Sequence, residues 1–192
     1  SLILIGYWAM RFFAFDDPAE TTRLDPRAVR LFAWVVAWGL FWTVLLQDGP
    51  ILADAAGLPQ KPVTLLVLAL VLFTMFFETC LSAWKAAAPL GNSRIGFRRS
   101  IAMTRGSFLW GTALLLLTVL PLLVLHYAFA FAAIGAPAGT MWGILVADSL
   151  LTAYLGVVMI ALNHVVAARM AARHEEPLLS PPSPAPRLLA HA

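Results

Sequence analysis

Four stretches of the chain are too long and too apolar for water to dissolve them: residues 29–47, 63–84, 107–134 and 141–168. At about 1.5 Å of rise per residue, each reaches across the roughly 30 Å hydrocarbon core of a bilayer as a helix. In acyl chains the backbone has no water to bond, so a spanning segment must satisfy its own amides. The expected fold is therefore all-α: a polytopic transmembrane helix bundle with four full spans. Composition agrees. Apolar residues make up 61% and charged residues 12% of the 192, against roughly 45–50% and roughly 25% in soluble domains.

A fifth apolar stretch, residues 1–15, contains only Arg11 as a charge. At about 22 Å it falls short of a span. It reads as the inner half of a helix whose start is missing, with an interfacial helix as the other reading; no small-residue cleavage site marks it as a signal. Residues 1–176 are thus expected to form one transmembrane helical domain, with a partial helix at 1–15 and four spans. Residues 177–192 carry five prolines and are expected to be an extended tail without a fold of its own, held in place only by a partner.

Punctuation between the spans is clear. Asp25 before Pro26 reads as an N-cap with proline in the first helical turn. Asp48-Gly49-Pro50 reads as a helix stop, and Asn92-Ser93 as a cap for a short helix. Residues 85–106 hold Lys85, Arg94, Arg98, Arg99 and Arg105 and no acid, and read as a solvated basic loop at headgroup level. Pro121 is expected to kink the fourth stretch, and residues 135–140 form an uncharged turn.

Lysine and arginine alternate along the connectors: three in 16–30, one in 48–62, five in 85–106, none in 135–140 and two in 169–176. The positive-inside rule then places 16–30, 85–106 and the C-terminus in the cytoplasm of a bacterial inner-membrane protein. The net charge of +3 and pI near 9.5 follow from this asymmetry and do not call for nucleic acid as a partner. Trp8, Trp84 and Trp110 fall near the cytoplasmic ends, Trp42 and Trp142 near the outer ends, as interfacial aromatic belts require.

Four ionisable residues lie within the spans: Glu78, His126, Asp148 and His164. A charge at mid-membrane is costly, so such groups face the bundle and find partners. His126 and Asp148 lie equally far from the 135–140 turn and are expected to meet. Glu78 and His164 lie at similar depth near the opposite end and are expected to meet there, with Asn163 nearby. The principal reading is interhelical polar packing; a proton or ion path is the functional alternative. His126 and His164 are the candidate cofactor ligands, although neither follows a small residue four positions back as in the common antenna pattern. No cofactor is predicted; contact with a pigment, haem or quinone is the alternative.

Trp34, Trp38 and Trp42 recur at i, i+4 and i+8 and form a stripe on one helix face, facing lipid or a partner. The lone Cys80 reads as a packing residue. No nucleophile elbow, metalloprotease, phosphate-loop or dinucleotide motif is present, and no connector is long enough to house a catalytic domain. No metal site and no catalytic residue is predicted.

RSIAMTRGSFLWGTALLLL (99–117) resembles the Arg-Ser-x-x-x-Thr-Arg-Gly-x-Phe motif that opens a membrane helix in poorly characterised bacterial multi-pass proteins related to the membrane domain of glycerophosphoryl diester phosphodiesterases. RFFAFDDPAETTRLDPRAVRLFAW (11–34) is similar to their basic-aromatic, acidic-Pro connector. The resemblance implies a helical membrane fold and no catalytic role. The function expected is a non-catalytic membrane subunit, a scaffold or accessory component of a larger, for example energy-transducing, complex, with membrane lipids and other membrane subunits as partners. A transporter or channel for a small solute, proton or lipid is the alternative.

Overall fold

The computed structural model describes residues 2–15 and 17–179. Every regular element among the described residues is helical. They are α1 (Leu2–Phe12), α2 (Pro18–Thr22), α3 (Pro26–Gln47), α4 (Gly49–Ala55), α5 (Gln60–Cys80), α6 (Ser82–Ala87), α7 (Phe97–Met103), α8 (Phe108–Ala133) and α9 (Ala138–Arg173), with a 3₁₀ turn at Ala88–Leu90. Four of these, α3, α5, α8 and α9, are long and apolar enough to cross a membrane. The protein is membrane-embedded.

Local chemistry sets the boundaries. Asp17 Oδ1 accepts from the Ala19 amide at 2.8 Å and Asp25 Oδ1 from the Arg27 amide at 2.8 Å, with Pro18 and Pro26 each opening the helix behind its cap. Each cap satisfies an orphan amide, and each proline fixes φ without sacrificing a bond. Asp48 interrupts the helix as expected, but the chain does not leave helical geometry there: α4 starts at Gly49, with Pro50 in its first turn where no amide is missed. The third stretch ends earlier than its hydropathy suggests. It breaks at Leu81 and resumes as α6. Pro121 lies inside α8, which runs through it from Phe108 to Ala133. The turn before α9 is shorter than residues 135–140: Gly135 takes φ of 74° and the helix begins at Ala138.

We call the end of the molecule that carries α1, α2, α6, α7 and the C-terminus of α9 the basic end. The buried core lies there. Ala83, Ala86 and Ala87 of α6 are fully buried against Val166, Ala167 and Met170 of α9, joined by Met10, Ile95 and Met103. Small side chains let these backbones approach closely. Within the spans the buried residues, among those described, are Ala28 in α3, Thr79 in α5, Gly111, Thr112, Leu115 and Val119 in α8, and Leu162, Val166, Ala167, Met170 and Ala171 in α9. All lie in the half of their helix nearest the basic end. α9 is 36 residues long, about 54 Å, so it crosses the apolar layer and still reaches into this core.

The joint at 85–106 is therefore not the solvated loop that its arginines suggest. Pro89, Ser100, Met103 and Thr104 are buried, while Arg94, Arg98 and Arg99 stay exposed. Alanine and serine carry little hydrophobic signal, so a surface buried by close approach looks neutral in sequence. The expected Asn92-Ser93 cap also falls elsewhere. α7 begins at Phe97 behind Gly96, without a side-chain cap. Asn92 instead donates from Nδ2 to the carbonyls of Pro177 and Leu178 at 2.9 and 3.2 Å. The first two residues of the proline-rich tail are thereby tied to the joint; residues 180–192 lie outside the described residues.

α1 belongs to the same core. Tyr7 and Arg11 are buried, and Arg11 donates to the carbonyls of Pro89 (3.0 Å), Glu20 (3.1 Å) and Thr21 (3.3 Å). Its guanidinium also lies 4.7 Å from the Phe15 ring centroid. This one side chain ties three segments together through carbonyls that the turns leave unpaired.

Candidate functional site

The ionisable residues of the spans separate into two sites at opposite depths. Toward the far end, the Nδ1–H of His126 on α8 donates to Asp148 Oδ1 on α9 at 2.6 Å. The side chains are 32% and 19% exposed. The expected pair forms because α8 and α9 are antiparallel neighbours around a tight turn, so equal distance from the turn means equal depth. The arrangement pairs two polar groups that hydrocarbon would otherwise strand.

Glu78 and His164 do not meet. Glu78 forms an ion pair with Lys85 and accepts from Trp38 Nε1 at 3.1 Å. The break at Leu81 explains the exchange of partner. It lets the chain resume helix within one residue, so Lys85, seven positions beyond Glu78, returns beneath the carboxylate. Burial lowers the Lys85 amine to a pKa of about 8, because its charged form is poorly solvated there. His164 faces α1 instead, its ring 5.8 Å from Phe13. Its Nδ1 is buried without a hydrogen-bond partner among the described residues. Asn163 faces the other way and accepts from Ser82 Oγ at 3.0 Å. Sequence reasoning misses Lys85 because the basic run 85–106 reads as a loop; the seven-residue spacing from Glu78, two helical turns, is compatible with the pair but does not select it without the break at Leu81.

Of the two candidate ligands, His126 has its Nδ1 engaged by Asp148. Among the described residues no three His, Cys, Asp or Glu side chains gather as a metal site would require.

The tryptophan stripe divides. Trp38 turns inward: its ring lies 5.4 Å from Phe97, 5.6 Å from Trp42 and 6.1 Å from Phe77. Trp42 follows it, with Phe73 at 6.3 Å. Trp34 remains 69% exposed. Between α3 and the joint lies an apolar groove of about 610 Å³, lined by Leu31, Trp34, Trp38, Phe41, Trp84 and Phe97, with Ala37 at its floor. The Trp84 and Phe97 rings meet edge to face at 5.6 Å and close one wall. The Trp38 indole thus lines the groove while its N–H is fixed to Glu78 behind it, so the half-buried ion pair positions the aromatic wall.

Among the described residues these features define an all-α membrane protein with an aromatic groove and two polar pairs at opposite depths. No family model, no curated protein and no solved structure matches the chain.

Proposed function

We propose that the protein is a non-catalytic integral subunit of a bacterial inner-membrane complex, a scaffold whose basic end, at the cytoplasmic face, holds its spans together. The carrying observation is the distribution of burial. The joint, α1, α2 and the end of α9 form a compact, hydrogen-bonded platform, whereas the far halves of all four spans contribute no buried residue among those described. Val124, Phe131, Val146 and Leu150 are 58–71% exposed there. A protein that works alone as a conduit needs its spans closed around a path. Here Glu78 and His126 are each engaged in a separate pair, which supports packing over transport as the role of these groups. Spans that leave a fixed platform with their far halves unburied suit a component that other helices complete.

The test is photocrosslinking in the native membrane from Val124 and Leu150, followed by mass determination in mild detergent. A stoichiometric membrane-protein adduct at both positions is expected. Adducts to lipid alone, together with a monodisperse chain of monomer mass, would sink the reading. The transporter alternative makes a different prediction: Asp148→Asn and Glu78→Gln would abolish solute flux in proteoliposomes.

A further inference from the structure

The groove has features that a flat lipid-facing surface lacks. From Leu31 to Phe41 it runs ten residues along α3, about 15 Å, which is half of a roughly 30 Å hydrocarbon core. It starts one turn inside the capped beginning of α3, so it occupies the depth of a single leaflet. Its volume falls in the range of small-molecule sites, about 300–1,000 Å³, and its walls are aromatic.

Arginines adjoin the residues that line the groove along the chain. Arg30 lies one turn before Trp34 on the same face of α3. Arg27 donates to Ser93 Oγ at 2.6 Å, which brings the start of α3 against the segment that carries Arg94, Phe97 and Arg98. Arg30, Arg94 and Arg98 are exposed, and their side chains have no hydrogen bond or ion pair among the described residues. The neighbouring acids are occupied. Asp25 caps α3, Glu78 pairs with Lys85, and Glu176 pairs with Arg99. Uncompensated guanidinium groups at headgroup level, above an apolar slot one leaflet deep, complement a phosphate joined to an acyl chain.

We propose that this groove is a site for one anionic phospholipid, its acyl chain lying against Trp34, Trp38, Trp84 and Phe97 and its phosphate held by Arg30, Arg94 and Arg98. The site stands apart from the subunit role, since it needs only this chain and lipid.

The experiment uses the full chain in detergent micelles, titrated with phosphatidylglycerol or phosphatidylcholine carrying brominated acyl chains, with tryptophan quenching as the readout. In 0.15 M salt, half-maximal quenching by the phosphatidylglycerol is expected at a mole fraction at least threefold lower. The triple variant Arg30→Gln, Arg94→Gln, Arg98→Gln is expected to lose that preference, whereas Arg23→Gln, Lys61→Gln, Arg105→Gln, with the same net charge, keeps it. Ala37→Phe, which fills the floor, is expected to remove the saturable quenching without changing charge. Equal curves for the two lipids in the unaltered protein would overturn the proposal and leave the groove to bulk acyl chains or a partner helix. So would loss of preference to the same degree in both triple variants, which would reduce it to net charge.

Discussion

At the scale of single residues, the two intramembrane pairs differ in how readable they were. His126 and Asp148 follow from arithmetic about a turn, and they meet at 2.6 Å. Pairs of this kind between membrane helices contribute about 1 kcal/mol. A double-mutant cycle with His126→Leu and Asp148→Leu, read by unfolding in mixed micelles, is expected to return a coupling of that size; additive effects would mean that the contact contributes nothing. The Glu78 pair was not readable, because depth alone places His164 and Lys85 equally well. Only the break at Leu81 decides between them, and no proline or glycine marks that break. The Lys85 amine offers a direct check. Its pKa of about 8 lies below the model-peptide value of 10.5, so folding disfavours the charged form. The sign follows: between about pH 8 and pH 10.5 the unfolded chain binds the proton more than the folded one, and this group's contribution to stability rises with pH across that window. Deprotonation also removes the positive partner of the carboxylate that accepts from Trp38. Indole fluorescence is expected to titrate with a midpoint near 8 in the unaltered protein and to be flat there in Lys85→Arg; a midpoint unmoved by that substitution would contradict the pairing.

At the scale of elements, caps and spans were legible and close packing was not. Asp25 and Pro26 announce α3 by side-chain chemistry that a sequence displays. The replacement Asp25→Ala is expected to cost about 1 kcal/mol, seen as a lower unfolding midpoint in detergent. By contrast, the packing of α5, α8 and α9 turns on an absent atom. A Cβ placed on Gly111 would lie 2.9 Å from Thr79 Cγ2 and 3.2 Å from Val166 Cγ1. Gly111→Ala is therefore expected to destabilise by about 1–3 kcal/mol through overpacking. Adding Thr79→Ser, which removes the offending methyl and keeps the hydroxyl, should recover much of the loss; no recovery would mean that the helices do not cross there. Glycine in an apolar run carries no label saying which neighbour needs the space. The joint was misread for a related reason: its arginines are conspicuous, whereas Ser100, which donates to the Cys80 carbonyl at 2.7 Å and accepts from the Trp84 amide at 3.1 Å, looks like any loop serine.

At the scale of the whole molecule, the two ends are unlike. The four spans emerge from hydropathy alone, because acyl chains impose one length and one polarity on anything that crosses them. How those spans associate does not emerge, since a side chain facing lipid and one facing another helix are equally apolar. What sequence does supply is the distribution of cations, and the structure gathers 16–30, 85–106 and 169–176 at the same end. Three connectors that share hydrogen bonds must lie on one side of a bilayer: Arg27 reaches Ser93 and Arg99 reaches Glu176. If that side is cytoplasmic, the side on which five lysines and arginines in residues 85–106 against none in 135–140 are expected, then single cysteines report it. In a Cys80→Ala background, Ala102→Cys in the exposed part of α7 is expected to resist an impermeant thiol reagent in intact cells and to react once the membrane is opened. Gly139→Cys, at the start of α9 where an added Cβ meets nothing within 4 Å, is expected to react in both. Labelling of both cysteines from outside would break the topology itself; reversal of the two patterns would keep the fold and invert it in the membrane, moving the platform, the groove mouth and its arginines to the outer face.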